Sequence, residues 1–309
     1  MGRIAIFGGM ILALLAAVAA LAAASGTPEV VARIPTGVGA CSEAGGFGYV
    51  WVGNNGAGTL SRVDPASNKV TATIGVGRGP CGVAIGAGAV WVDGYSSESV
   101  IRVNPSTLKV VKRIHLPDSI WDVTYGAGAV WATESTNGYV DRISPKRNKL
   151  RKRIRIPGFV GPANLRYGAG AVWVGAQLGH KIFRINVRTN KVTAIRVGEG
   201  PRSLAASATA IWVSNRLSDS VWRIDPRTRK VVAKIHVDSQ PENPAVAADG
   251  TVFVPSIGTN TVSRIDPATN RVINTIQVGN APFPAASAFG DIWVPASGDG
   301  EVYRIHIKN

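Results

Sequence analysis

An all-β fold, seven four-stranded blades closed into a ring, is what the sequence predicts, and three observations carry the prediction. One aromatic position recurs seven times, at Trp51, Trp91, Trp131, Trp173, Trp212, Phe253 and Trp293, with spacings of 39 to 42 residues, a period that belongs to radial or solenoid repeats. Each interval holds four short runs rich in Val, Ile, Thr and aromatics between turn residues, and no window has the apolar spacing of a helix. The last unit reaches Asn309 after three such runs, whereas the segment before the first unit is a fourth run without a blade of its own. Four strands per unit make a propeller blade. The expected fold is therefore a seven-bladed β-propeller whose ring is closed by the N-terminal strand completing the C-terminal blade.

The elements follow in chain order. Residues 1–25 hold a basic residue, Arg3, an apolar run from Ile4 to Ala24, and small residues at Ala22 and Ala24, the pattern of a secretory signal peptide. The run is also long enough to span a bilayer, so an uncleaved N-terminal anchor is the alternative. Both place the body outside the cytoplasm, secreted or periplasmic. Residues 26–309 are expected to form a single domain, because no linker or low-complexity tract interrupts them. Val30, Ile34, Gly37, Gly39 and Cys41 lie forty residues before Val70, Ile74, Gly77, Gly79 and Cys81, which identifies Glu29 to Thr36 as the closing strand. Closure removes an exposed sheet edge.

Within each unit a Gly-Ala-Gly-Ala-Val-Trp-Val string forms a tight turn and the second strand. Asp64-Pro65-Ala66-Ser67-Asn68-Lys69 turns the third strand into the fourth: Asp suits the first position of a type I turn, Pro fixes φ at the second, and Asn68 tolerates the left-handed residue that closes the hairpin. Asp225-Pro226 and Asp266-Pro267 repeat the device. An Arg stands eleven residues after every anchor, from Arg62 to Arg304. Because all seven blades carry it at one strand position, it is expected to be structural, as are the strand Trp residues.

Strings such as Ala89-Val90-Trp91-Val92 and Ile265-Asp266-Pro267-Ala268-Thr269-Asn270 resemble the YVTN-type seven-bladed propeller repeats, and are similar also to the streptogramin (virginiamycin B) lyases, over nearly all of residues 29–309. The lyase resemblance implies a magnesium-dependent elimination using His and Glu at the axial mouth. Of the four His residues, His115 and His236 lie in fourth strands and His306 near the chain end, leaving only His180 on the loops at that end. A base would have to come from Glu43 or Glu242, with clustered acids holding Mg²⁺.

Function is expected where the repeats differ. Ten residues before each anchor, at the start of the innermost strand, stand Cys41, Cys81, Trp121, Ala163, Arg202, Asn243 and Phe283. Neighbouring positions add Glu43, Asp122, Asn164 and Glu242. The candidate ligand-binding set is Glu43, Trp121, Asp122, Asn164, Arg202, Glu242, Asn243 and Phe283, a mixture of acids, amides, aromatics and one guanidinium that suits a small-ligand site. A plugged channel lined by whatever fits is the alternative.

Cys41 and Cys81 are the only cysteines and occupy one repeat position in adjacent blades. Near the axis their Cα atoms fall about 6 Å apart, within disulfide range. An exported chain favours the bond over paired thiols or metal ligands.

Net charge is +15, and it has a direction. The third-to-fourth turns carry eleven Lys and Arg residues, including Lys69, Lys109, Lys146, Arg147 and Lys149, against Asp64, Asp225 and Asp266, and the run Lys146 to Arg155 continues from the turn into the outer strand of blade three. The opposite, loop face carries Glu43, Asp93, Glu98, Asp118, Asp122, Glu134, Glu199, Asp219, Asp238, Glu242 and Asp299 against Arg78, Arg202 and Arg216. A small ligand or protein is expected at the acidic loop face. An anionic cell-envelope polymer or lipid headgroup is expected at the basic turn face. Neither a nucleophile motif, a zinc signature nor a phosphate loop stands at a credible location, so no catalytic residue, metal ligand or cofactor is assigned. The sequence thus points to an exported, monomeric, non-enzymatic binding or scaffold propeller. A virginiamycin B lyase-like Mg²⁺-dependent C–O lyase and a binder of polyanions, cell-wall polymer or nucleic acid, are the alternatives.

Overall fold

A computed structural model describes residues 26–158 and 161–308; residues 1–25, expected to be a signal peptide or anchor, lie outside them. Seven four-stranded antiparallel sheets are present, and six are built from four consecutive strands. The seventh combines Ala286–Ala288, Asp291–Ala296 and Glu301–Ile307 with Pro28–Pro35 as its outermost strand, paired from Pro28 with Ile307 to Pro35 with Glu301. The expected closure by the N-terminal strand is therefore the observed one. Among the described residues no helix is long and apolar enough to cross a membrane.

The repeated residues hold blades to themselves and to each other. Trp51, Trp91, Trp131, Trp173 and Trp293 are fully buried, and each indole N–H donates to the carbonyl five residues back, at 2.9 to 3.0 Å, tying the second strand to the turn before it. Burial of so large a ring with its one polar atom satisfied is the stable arrangement. Four members of the Arg ring form an inter-blade clamp. Arg102 donates to the Pro145 carbonyl and Asn148, Arg142 to Val187 and Asn190, Arg223 to Pro267 and Asn270, and Arg304 to Pro65 and Asn68. Each guanidinium caps the hairpin of the next blade while lying over the aromatic anchor of its own. Arg304 carries this clamp across the seam from the last blade to the first.

The hairpins follow the turn chemistry. Asp64 accepts from the Ala66 N–H at 3.0 Å and the Ser67 hydroxyl at 2.6 Å, and Asn68 takes φ +55°. Glycine is required where neighbouring blades meet: a Cβ at Gly86 would stand 2.1 Å from the Tyr125 ring, and one at Gly126 2.0 Å from Tyr167.

Apolar surface is buried between blades rather than within them. Trp91, Val100 and Ile114 of the second blade pack on Ile120, Val130 and Ile143 of the third, and Trp293 and Val302 with Ile34 pack on Val50 and Val63 across the seam. No blade can bury both faces alone, so stability belongs to the closed ring.

Candidate functional site at the axial mouth

The innermost strands run from the loop face to the turn face, so their first residues ring the axis at the loop end. There they enclose a cavity of about 260 Å³. Six of the eight candidate residues line it: Trp121, Asp122, Asn164, Arg202, Asn243 and Phe283. Cys41 and Cys81 also line it and are joined by a disulfide with Cα atoms 5.0 Å apart. The bond fits an oxidising, extracytoplasmic compartment. Ala163 yields its place to Asn164.

Two candidates lie elsewhere. Glu242 is buried behind the wall, where its carboxylate stands 3.2 Å from Arg216 and 3.6 Å from Arg202 and accepts from the Ser203 hydroxyl at 3.1 Å. Burial raises its pKa, with the two guanidiniums opposing. Glu43 lies below the mouth, on a second chamber of about 340 Å³ that opens toward the turn face; Ser42 and Pro284 belong to both chambers and form the waist between them. Neither Glu43 oxygen has a hydrogen-bond partner. Burial drives its carboxyl well above the usual range, with the Arg166 charge opposing. The equivalent residues in the other blades are Val83, Val123, Leu165, Leu204, Ala245 and Ala285.

The centre of the mouth is a guanidinium. Arg202 lies 5.0 Å from the Trp121 ring centroid and 4.9 Å from that of Phe283, and Tyr95 meets Trp121 edge-on at 6.0 Å. Burial lowers the pKa of Arg202. Tyr95, on the loop after the second strand of blade two, was not among the sequence candidates; an aromatic in a loop on the variable face was the signal for it. Asp122 is consumed internally. One of its oxygens takes the Asn164 amide at 3.1 Å, the Leu165 N–H at 3.2 Å and Arg166 at 2.6 Å, and the other takes the Val123 N–H at 2.8 Å. Asn243 is fixed in orientation, since its side-chain oxygen accepts from the Leu204 N–H at 3.2 Å.

The acidic loop face expected from the count of carboxylates does not form as an open surface. Glu43, Asp93, Asp118, Asp122, Glu134 and Glu242 are all buried. Asp93 accepts from the Cys81 N–H, Asp118 from three loop N–H groups, and Glu134 from Arg153. Among the more exposed acids, Asp219 and Asp299 accept from the Gln240 and Asn280 N–H groups and Asp238 from the Thr261 hydroxyl. Buried carboxylates persist by taking hydrogen bonds or partners, and these loops supply them. The basic turn face, by contrast, is as expected: Lys69, Lys109, Lys146, Arg147 and Arg271 are exposed, and Asp64, Asp225 and Asp266 accept from their own turns.

A magnesium ion, implied by the lyase resemblance, needs several free oxygen ligands. The mouth does not offer them, because Asp122 and Glu242 are engaged by guanidiniums and Arg202 holds the centre. Among the described residues no three His, Cys, Asp or Glu side chains come together as a metal site. His180 is exposed and lies off the chamber wall.

No protein family and no curated protein matches the sequence. Solved structures do match in fold. A streptogramin B lyase superposes with TM-score 0.80 at 15% identity, covering 91% of this chain and 98% of that one. The virginiamycin B lyase of Staphylococcus aureus gives 0.78 at 16%, covering 91% and 100%, and the hydrazine synthase of Kuenenia stuttgartiensis gives 0.71 at 14%, covering 89% and 95%. Identities this low establish the seven-bladed fold and nothing finer.

Proposed function

We propose that this is an exported, non-enzymatic propeller that binds a small ligand in its axial mouth. The observation that carries the proposal is the chamber itself: a disulfide-walled cavity with aromatic faces, a stacked guanidinium and a fixed amide, all from positions where the repeat varies. Convergent polar groups in an apolar recess are the usual form of a ligand site. The disulfide also supports export. Thermal-shift and calorimetric screening of residues 26–309 against a small-molecule collection tests this. A ligand that stabilises the native protein and loses its effect in Trp121→Ala is the expected result; a chamber that no compound engages would end the proposal.

The lyase alternative is favoured by the fold likeness. A further matched structure is a catalytically inactive histidine-to-alanine variant of the S. aureus enzyme with quinupristin, so that enzyme depends on a histidine. Here no histidine lines the mouth. Chromatographic turnover of quinupristin in the presence of Mg²⁺ would establish the lyase and remove the non-enzymatic role. Eleven exposed turn-face cations support a separate contact with an anionic envelope polymer, which must weaken steeply with salt.

A further inference from the structure

The mouth has a definite electrostatic sign, and it is the reverse of what counting loop acids suggests. Arg202 and Arg216 share the one carboxylate of Glu242 beside the chamber, while Asp122 is paired by Arg166 of the second chamber. One positive charge is left over. Asp93 is the further acid close by, behind Gly82; burial raises its carboxyl well above the usual range, with the Cys81 and Gly82 N–H groups opposing. Glu43 lies below the waist, on the second chamber with Arg166.

The unused hydrogen-bonding capacity has the same sign. Asp122 already accepts four bonds. Asn164 commits one N–H to Asp122, and its oxygen competes with Glu242 for the single Ser203 hydroxyl proton. Asn243 spends its oxygen on the Leu204 N–H, which leaves its NH₂, on a side chain only 3% exposed, directed at the chamber it lines. Arg202 holds Glu242 at the long distance of 3.6 Å, and its Nε has no partner. The chamber therefore offers the Asn243 NH₂ and the Arg202 guanidinium, with Ser42 and Asn55 able to donate or accept, beside an apolar wall of Tyr95, Trp121 and the disulfide. At about 260 Å³ it falls just below the roughly 300–1,000 Å³ of sites for drug-sized ligands.

Building on the assignment of the mouth as a ligand site, we propose that its ligand is a small planar organic anion, an aryl or heteroaryl carboxylate. The carboxylate takes Arg202 and the Asn243 amide, and the ring lies on Tyr95, Trp121 and the disulfide. A guanidinium matches a carboxylate in both charge and geometry. Its stacking between Trp121 and Phe283 keeps it in place before the ligand arrives, which lowers the ordering cost of binding.

The test is calorimetric titration of residues 26–309 with benzoate and indole-3-carboxylate, with benzamide as neutral isostere and benzylammonium as cation. The carboxylates are expected to bind at least tenfold more tightly than benzamide, benzylammonium to give no binding, and added salt to weaken the carboxylates alone. Two variants are compared. Arg202→Gln removes the charge, and Asn243→Asp keeps the shape and the Leu204 contact but turns the free donor into an acceptor. Each is expected to weaken the carboxylates at least tenfold. Asn243→Asp also guards against a folding defect in Arg202→Gln, since a native melting profile with lost binding supports the site. Equal or tighter binding of benzamide or benzylammonium overturns the anion class while leaving the mouth a ligand site. Carboxylate binding unchanged by both variants, or absent in the wild type, overturns the proposal as well; silence of the wider compound screen is what would remove the mouth site itself.

Discussion

Asp141→Asn should make this protein insensitive to a pH range that weakens the wild type. Glu134 and Asp141 are both fully buried in blade three, and they share one cation: Arg153 lies 2.6 Å from Glu134 and 3.8 Å from Asp141, with its guanidinium over Tyr139. Neither Asp141 oxygen has a settled hydrogen-bond donor. Burial first, and then the Glu134 carboxylate, push the Asp141 pKa to about 8, with Arg153 opposing. A carboxyl whose folded pKa is raised binds its proton more tightly in the native state, so its contribution to stability is fully present below about pH 4 and is lost as pH rises through about 8. The span is about four pH units at about 1.4 kcal/mol each, a ceiling of about 6 kcal/mol. Arg153 is one-third exposed, and solvent screening with local relaxation reduces this to about 3 kcal/mol. At roughly 2 °C per kcal/mol for a chain of this size, the variant should melt with the wild type below about pH 4 and about 6 °C above it at pH 9. Circular dichroism melts across that range decide the matter, because the general charging of the protein is common to both chains. Parallel curves for the two proteins would refute the shared-proton account.

Three further outcomes are expected. Glu43→Val places the residue of blades two and three in blade one and removes an unpartnered buried carboxyl, so it should raise stability by about 1–3 kcal/mol in chemical denaturation; a loss would mean that Glu43 has a partner. Reducing the Cys41–Cys81 bond, which spans 40 residues, should cost about 4 kcal/mol on the loop-entropy account, and an unchanged melting temperature in reductant would contradict it. Deleting residues 26–36 strips the outer strand from blade seven and should yield unfolded or aggregated protein, whereas a monomeric truncation that melts like the intact chain would show that closure is dispensable.

The architecture was legible because each of its parts repeats. Seven anchors spaced by one period, the Asp-Pro hairpins and the orphan strand at Glu29 to Thr36 each state the same fold independently, and local agreement of that kind is what makes a fold specific. The ring of variable residues was legible for the same reason, since the period locates one strand position in every blade, and the disulfide followed from two cysteines at that position. What the period does not convey is where a side chain points. Glu43 and Trp121 both stand beside the axis in sequence terms, yet Glu43 is two positions further along the innermost strand than the place Trp121 holds, which puts one below the waist and the other in the mouth. The acidic loop face failed for a related reason: Asp118 and Asp219 are acids by composition and loop fasteners by contact.

The buried charges that interrupt the repeat divide by position. Where other blades place Asn54 and Ser61 or Asn215, blade three places Glu134 and Asp141, far from any chamber wall described above. Removing charge there should stabilise the protein without touching the mouth. Glu242, Arg202 and Arg216 interrupt the repeat around the cavity itself. A buried ion cluster is weak as a source of stability, because desolvation offsets much of its attraction; around a cavity it does something an apolar replacement does not, leaving one guanidinium oriented and incompletely paired. If variants in blade three gain stability and keep ligand, while those at Arg202 and Asn243 lose ligand and keep their fold, then only the second cluster is explained by binding.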